Sequence, residues 1–226
     1  MNIHTQRIDD LRQAMKSQNI DAIIIPRTDA HLSEYISDHW HVVRYLSGFT
    51  GSAATMVVTA DKALLWTDSR YFLQAGQQLD GTGIGLMKEG LSETPDITTW
   101  LCSHLTSGAT VGVDGMTVSI DSCAALAKAL ADRGINLKVD FSPIDSIWTD
   151  RPALPSDKIF IHDIKYAGEE AKSKIARVLA EAAASGATSA FLSALDEIAW
   201  VLNIRSNDVP DNPVATSFLY LSPKGS

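Results

Sequence analysis

The chain has 226 residues, of which 45% are hydrophobic and 20% are charged, a composition typical of a globular protein with one or two domains. Its formal net charge is −8 and no Lys/Arg run offsets it, which argues against nucleic-acid binding because a phosphate backbone would be repelled. The longest apolar runs are too short to span a bilayer, and the amino terminus lacks the apolar core of a signal peptide. We therefore expect a cytoplasmic protein that binds neither nucleic acid nor membranes.

The first part of the chain predicts the beginning of an α/β domain. Apolar periodicity predicts a helix over residues 7–18, and a continuous apolar run predicts a buried strand over residues 21–26. Thr28 or Asp29 is placed to cap a short helix that contains Leu32 and Tyr35.

A glycine-rich turn over residues 48–52 precedes two apolar strands, residues 54–59 and 63–67. Their short connection predicts an antiparallel hairpin. Asp68 then caps a helix with Phe72 on its apolar face. Strands and helices go on alternating, which indicates an α/β fold whose mixed sheet is flanked by helices. The further predicted elements are a strand at 84–87, a helix at 94–105 with Pro95 in its first turn, a strand at 110–113, a helix at 122–133 and a strand at 135–139.

Residues 148–158 are predicted to be a linker, since they contain two prolines and show no periodicity. After them the opening order of elements returns: a helix at 169–185, a strand at 189–192, a helix at 195–202 capped by Ser193, and a strand at 216–221. This weak repeat predicts two related domains, residues 1–147 and 159–226. The second copy stops earlier than the first, so we expect it to be incomplete.

Most residues that could carry chemistry have an ordinary structural interpretation. Cys102 and Cys123 lack zinc or CxxC spacing and are expected to be buried, reduced thiols. His39 and His41 could place two imidazoles on one strand face, but no acidic cluster completes a metal site, so a structural or surface role is favoured. Residues 48–52 fit a tight turn better than a phosphate loop, and neither GxSxG nor GxGxxG is present.

The most unusual polar pair is Asp68 and Arg70, in the stretch LLWTDSRYF at residues 64–72. Asp68 could simply cap a helix while Arg70 faces solvent. A strand-to-helix junction of an α/β domain is also where ligand groups commonly lie, and an arginine there offers forked donors to a carboxylate or carbonyl. The residues alone leave both interpretations open.

Several runs resemble the three-domain aminopeptidase P family, in order and spacing over nearly the whole chain. They are IIIPRTDAHLSEYI, YLSGFTGSAATMVV, LLWTDSRYFLQA, VGVD at 111–114, IWTDRP at 147–152 and ALDEIAWVLNIRSNDVPDNPV at 194–214. The resemblance implies two creatinase-like amino-terminal domains followed by a catalytic metallopeptidase domain. Such enzymes remove the N-terminal residue from peptides whose second residue is proline.

The resemblance also implies what this chain contributes. The family's ligands for two metal ions, usually manganese, belong to the third domain, and their motifs do not occur here. We therefore expect a non-catalytic front portion that works with the catalytic domain of the same polypeptide on short Xaa-Pro peptides, in an enzyme that is a homodimer. Arg70 matches an arginine that helps hold substrate. Ser69 stands where the family has glycine, so the backbone there is expected to be more restricted.

A second hypothesis from another class is a stand-alone module of the same fold that binds peptide or protein ends without hydrolysing them. A longer reading frame with the family's metal ligands favours the enzyme, whereas a natural stop near Ser226 favours the module. A flavodoxin-like carrier is a weaker alternative, because the chain has no phosphate loop.

Overall fold

The computed structural model describes residues 2–223, in two compact units. The first comprises residues 2–34 and 38–152, and the second comprises residues 35–37 and 153–223. The end of the chain at residues 224–226, where the second domain was expected to break off, lies outside the described part.

The first unit is an α/β domain with helices on both faces of one sheet. Its helices and strands are α1 Ile3–Ser17, β1 Ala22–Pro26, α2 Val42–Ser47, β2 Thr55–Thr59, β3 Ala63–Thr67, α3 Phe72–Gln78, β4 Gly85–Lys88, α4 Ile97–His104, β5 Thr110–Val113, α5 Ile120–Ala131, β6 Asn136–Lys138 and α6 Ile144–Ile147. Within residues 2–223 the sheet has six strands in the order β4-β3-β2-β1-β5-β6. The predicted α/β fold with a mixed sheet flanked by helices is confirmed.

One strand of this sheet runs against the others. β2 pairs antiparallel with both β1 and β3, while the β3–β4, β1–β5 and β5–β6 pairs are parallel. The predicted hairpin of β2 and β3 is therefore confirmed. Because β2 is reversed, the chain leaves β1 and β3 at the same edge at which it enters β2. That edge holds the candidate site.

Alternation along the strands divides the core between the two faces of the sheet. Ile23 and Ile25 of β1 face one cluster, which includes Leu11 of α1 and Leu46 of α2. Ala22 and Ile24 face the other cluster, in which Leu101 of α4 and Leu130 of α5 are fully buried. Each face of the sheet is therefore covered, which makes the edges and their loops the accessible places for a ligand.

The second unit contains α7 Ile164–Ala167, α8 Ala171–Ala184, α9 Leu195–Leu202 and four short strands, β7 Phe160–Ile161, β8 Ala190–Leu192, β9 Ile204–Arg205 and β10 Leu219–Leu221. Its described strands form two antiparallel pairs, β7 with β9 and β8 with β10. One face of the β8–β10 pair packs on α8 and α9 through Ile198, Val201 and Leu221. β8 thus pairs with β10, and both α9 and β9 lie between these two strands along the chain.

The short helix predicted after Asp29 is wrong. Residues 28–37 form turns and bends, with Leu32 in the left-handed region at φ 57°. The Asp29 carboxylate accepts hydrogen bonds from the backbone N–H groups of His31 and Ser33, both at 2.9 Å. Such side-chain-to-backbone bonds compete with a helix, so the residue expected to start one stabilises a turn instead.

Smaller differences concern helix ends and the segment after Asp38. Asp38–Trp40 is a 3-10 turn and α2 follows it, although the sequence predicted neither element. The N-cap of α4 is Asp96 rather than a residue before Pro95, and the N-cap of α9 is Ala194 without a side-chain bond, rather than Ser193. In each of these helices the N-cap therefore lies one or two residues after the expected capping residue.

Candidate functional site

The carboxyl edge of the first unit's sheet brings together polar side chains from three connections. Arg27 follows β1, Ser52 lies before β2, and Asp68, Arg70 and Tyr71 follow β3. In the register of the sheet Pro26 pairs with Thr55, and Thr55 pairs with Trp66. These pairings place the ends of β1 and β3 on either side of the start of β2.

Asp68 holds the Arg70 side chain in a two-pronged contact. Arg70 Nε donates to Asp68 Oδ1 at 2.9 Å, and Nη2 donates to Oδ2 at 2.8 Å. Asp68 Oδ1 also accepts the backbone N–H of Arg70 at 3.0 Å, and this bond caps a 3-10 turn over Ser69–Tyr71. The predicted cap therefore starts a 3-10 turn that leads into α3. One carboxylate orders both the backbone and the guanidinium of Arg70.

This contact shifts the pKa of both groups. The hydrogen bonds from Arg70 hold the pKa of Asp68 below its ordinary value, and those to Asp68 raise the pKa of Arg70. Both groups are therefore charged at neutral pH. The Arg70 side chain is 61% exposed, so its charge reaches solvent. Its Nη1 group has no partner among residues 2–223, which leaves donors available for a carboxylate or carbonyl of a ligand.

Tyr71 and Ser52 support the same turn. Their hydroxyl groups are hydrogen-bonded at 2.7 Å, and this bond lowers the pKa of Tyr71. The Tyr71 ring meets Phe49 edge to face, with ring centroids 5.8 Å apart. Gly51 is required beside this pair, because a Cβ there would lie 2.8 Å from Tyr71 Cδ1 and closer still to the Phe49 ring.

Arg27 is a member of this site that the sequence did not single out. Its Nη1 donates to the backbone carbonyls of Ser52 and Glu34, each at 2.8 Å. Burial is the main cause that lowers its pKa, and the charges of Tyr71 and Glu34 act against it. A partial signal existed: if β1 pairs antiparallel with the hairpin strand β2, as it does here, a basic residue directly after β1 lies at the same edge as Arg70.

The other candidate residues do not join this site. His39 Nδ1 is hydrogen-bonded to the Pro152 carbonyl at 2.7 Å, and His41 lies 4.0 Å from Asp38, so both have structural contacts as favoured by the sequence. Cys102 and Cys123 are free thiols, but they are only half-buried rather than buried, because one face of α4 and of α5 remains accessible.

No group of three or more His, Cys, Asp or Glu side chains able to hold a metal ion occurs within residues 2–223. The side chains of residues 2–223 therefore do not provide the ligands that a dinuclear metal centre needs. A small cavity of about 30 Å³ lies at the ends of β1 and β5, lined by Ile24, Asp114 and Phe141 among others. It has room for a water molecule and not for a peptide.

Comparison with known families decides what kind of domain this is. The family model described as Creatinase/Prolidase N-terminal domain matches residues 7–147, and a second model of the same description matches residues 150–226. The chain belongs to the creatinase/prolidase N-terminal domain family.

Several proteins that are similar in sequence to this chain are aminopeptidases. Aminopeptidase P2 of Arabidopsis thaliana is 45% identical over 88% of this chain and 28% of its own length. A probable Xaa-Pro aminopeptidase P of Talaromyces marneffei is 39% identical over 97% of this chain and 34% of its own length. The chain thus spans about a third of the length of such relatives.

A solved structure agrees closely with the whole creatinase/prolidase N-terminal chain. The X-prolyl aminopeptidase of Caenorhabditis elegans, described as a cytosolic enzyme with a di-nuclear active site, superposes with a TM-score of 0.92 at 34% identity. The match covers 98% of this chain and 38% of that one. For this chain, none of the helices formed by residues 2–223 is long and apolar enough to cross a membrane.

Ser69 occupies a backbone conformation that a serine adopts readily. Ser69 begins the 3-10 turn over Ser69–Tyr71 and is not among the residues with positive φ. Its backbone therefore needs no glycine, and Arg70 reaches its bidentate contact without strain at the preceding residue.

Proposed function

We propose that this chain forms the front, non-catalytic portion of an Xaa-Pro aminopeptidase. The observation that carries the proposal is the match to the C. elegans X-prolyl aminopeptidase, which covers nearly all of this chain and 38% of that enzyme. The reaction would remove the N-terminal residue from short peptides with proline in second position. Because the described donor set does not fit a metal centre, we assign the metal ions, two manganese ions by resemblance, to a catalytic domain that this chain does not include.

In this proposal Arg70 binds the substrate. Its guanidinium is charged, is fixed on one side by Asp68, and has unused donors directed toward solvent. A restrained arginine loses less conformational entropy on binding a carboxylate or carbonyl than a free one does. Asp68 acts as a positioning residue, and the Tyr71–Ser52 bond supports the turn that carries both residues.

The surrounding assembly is part of the same proposal. The front domains would narrow access to the active site so that short peptides are favoured. The intact enzyme is proposed to be a cytoplasmic homodimer, in keeping with the description of the C. elegans relative as cytosolic. The proposed partners are therefore the catalytic domain of the same polypeptide, a second copy of it, and Xaa-Pro peptides.

The size of the native protein tests whether this is an enzyme portion. An antibody against this chain should detect, in extracts of the source cells, a polypeptide far heavier than 24.4 kDa. A native product of 24.4 kDa would contradict the enzyme proposal and favour a stand-alone peptide-binding module.

Kinetics of the native enzyme test the role of Arg70. Arg70→Ala should lower kcat/KM on several Xaa-Pro peptides by roughly ten- to a hundredfold, because a charge-assisted bond to substrate is lost. Arg177→Ala is the matched control, since it breaks a similar exposed pair with Glu169 in the second unit. Equal activity of Arg70→Ala and the unsubstituted enzyme would rule out substrate binding by Arg70, while leaving the family assignment unaffected.

A further inference from the structure

A second cavity of the first unit carries an excess of positive charge. It has a volume of about 250 Å³ and is lined by Arg7, Asp38, His41, Arg44, Tyr45, Trp148 and Pro152. It therefore has space for about eight water molecules, or for a compact ion with part of its hydration shell. None of these residues belongs to the cluster around Arg70.

The two arginines of this cavity lack acidic partners. Arg7 Nη1 donates to the Tyr45 carbonyl at 2.7 Å, and its guanidinium lies 3.9 Å from the Tyr45 ring centroid. Arg44 is exposed, and its side chain has no ion pair or hydrogen bond within residues 2–223. Both arginines therefore line the same cavity, and within residues 2–223 neither forms an ion pair.

The single acidic residue of the lining does not balance this charge. Asp38 lies 4.0 Å from His41 Nε2, and its side chain is 73% exposed. Burial lowers the pKa of His41, and the charges of Arg27 and Arg44 lower it further, against the opposite effect of Asp38. Two arginine charges and one carboxylate therefore act on the His41 imidazole.

The floor of the cavity is rigid. Tyr45 and Trp148 stack with ring centroids 4.4 Å apart, and the Tyr45 hydroxyl donates to the Ile147 carbonyl at 2.8 Å. This fixes Tyr45, over which Arg7 lies. A fixed arginine fork is suited to the oxygens of a phosphate-type ion, which accept several charge-assisted hydrogen bonds at once.

We propose that this cavity binds a compact, multivalent oxyanion of the phosphate type, held by Arg7 and Arg44. The concave shape and small volume favour a free ion over a flat macromolecular surface. A doubly charged ion with several oxygens matches two arginines better than a singly charged carboxylate does. The site is an addition to the proposed peptidase role and does not depend on it.

Titration with inorganic phosphate at constant ionic strength, followed by calorimetry and by NMR of the His41 ring, tests this site. Binding should saturate below about 10 mM and raise the pKa of His41, because the bound anion stabilises the imidazolium. Acetate, with one charge and two oxygens, should bind at least several-fold more weakly. No saturable phosphate binding, or equal binding of acetate, would overturn the proposal.

Substitution of the arginines locates the ion. Arg44→Gln should weaken phosphate binding roughly tenfold, and Arg7→Gln should do the same. The Arg44 side chain has no hydrogen bond or ion pair to lose within residues 2–223, so its variant tests binding even if Arg7→Gln fails to fold. Arg133→Gln is the matched control, because it removes an exposed arginine that lines another cavity with Thr99 and Ser103. An equal loss with Arg133→Gln would mean that net charge alone attracts the ion, and the proposed site would be wrong.

Discussion

Arg70 is positioned by a residue only two places before it in the chain. Asp68 caps the turn through the Arg70 N–H and binds the guanidinium with the same carboxylate. Because both contacts are local, the direction of the side chain depends little on distant packing. The sequence showed the pair but could not choose between cap and ligand group, and the structure shows that Asp68 serves as the cap while leaving Arg70 accessible.

The Asp68 carboxyl should titrate below its ordinary pKa of 3.8, because the hydrogen bonds from Arg70 favour the charged form. For a depressed pKa, the stabilisation is present above the unfolded-state pKa and is lost as pH falls through the lower, folded-state value. NMR of the Asp68 carboxyl carbon checks this. Arg70→Gln should move the midpoint upward, whereas Arg177→Gln should leave it unchanged. An unchanged midpoint in Arg70→Gln would show that the contact does not persist in solution.

Gly51→Ala should destabilise the first unit by about 1–3 kcal/mol, since the added methyl group meets the Phe49 and Tyr71 rings. Urea unfolding measures the change. Gly76→Ala is the control, because Gly76 lies within α3 and an added Cβ there meets nothing within 4 Å. That variant should gain about 0.5–1 kcal/mol of stability from helix propensity. Comparable stability of the two variants would contradict the close packing around Gly51.

At the scale of elements, one buried cation joins two helices of the second unit. Lys174 of α8 is 2% exposed, and its Nζ donates to the Trp200 carbonyl at 2.9 Å and to Asn203 Oδ1 at 2.7 Å. Asn203, in the left-handed region at φ 52°, ends α9. Lys174 thus satisfies groups at the carboxyl end of α9 that the helix itself cannot pair. The apolar periodicity predicted α8, but nothing in the sequence indicated that Lys174, beside its apolar face, is buried.

Lys174→Met should destabilise the second unit by about 2 kcal/mol, because the Trp200 carbonyl and the Asn203 side chain lose a charged donor. Lys172→Met changes an exposed lysine of the same helix and should alter stability by less than about 0.5 kcal/mol. Denaturant unfolding followed by far-UV circular dichroism compares the two. If both variants unfold at the same urea concentration, the bonds of Lys174 do not stabilise the junction of α8 and α9.

For the whole molecule, the sequence predicted the order of strands and helices better than the details between them. Apolar runs and turn residues suffice for β1 and the β2–β3 hairpin, whose residues are mostly buried, and apolar periodicity suffices for α5. The turn at Asp29 depends on local side-chain-to-backbone bonds, and the role of Arg27 depends on its contact with the distant Ser52. Apolar periodicity contains neither kind of contact. The substrate-binding role of Arg70 came from the resemblance to the aminopeptidase P family. That role remains a proposal.

The predicted linker at residues 148–158 also remains a prediction. Its first part is well packed, since Trp148 stacks on Tyr45 and Arg151 Nε donates to the His39 carbonyl at 2.9 Å. Residues 153–159 lack helix and strand and are mostly exposed. We therefore propose that the junction between the two units lies in residues 153–156, before Asp157, whose backbone N–H donates to Asp208 Oδ1 at 2.9 Å.

Limited trypsin digestion should cut first after Lys158, which is exposed and outside any helix or strand. The expected products are residues 1–158 and 159–226, identified by mass spectrometry. Lys172 provides the internal comparison, because it is equally exposed but lies within α8. First cleavage after Lys172 would contradict separate folding of the two units.

The reversed direction of β2 has a consequence for the order of folding. Because the chain enters β2 where it leaves β1 and β3, the contacts among Arg27, Ser52 and Tyr71 join residues at most a few dozen positions apart. Closing such short loops costs less chain entropy than pairing β1 with β5, which is much farther along the chain. The turn that carries Arg70 can thus form together with β1, β2 and β3, before β5 and β6 pair with the sheet.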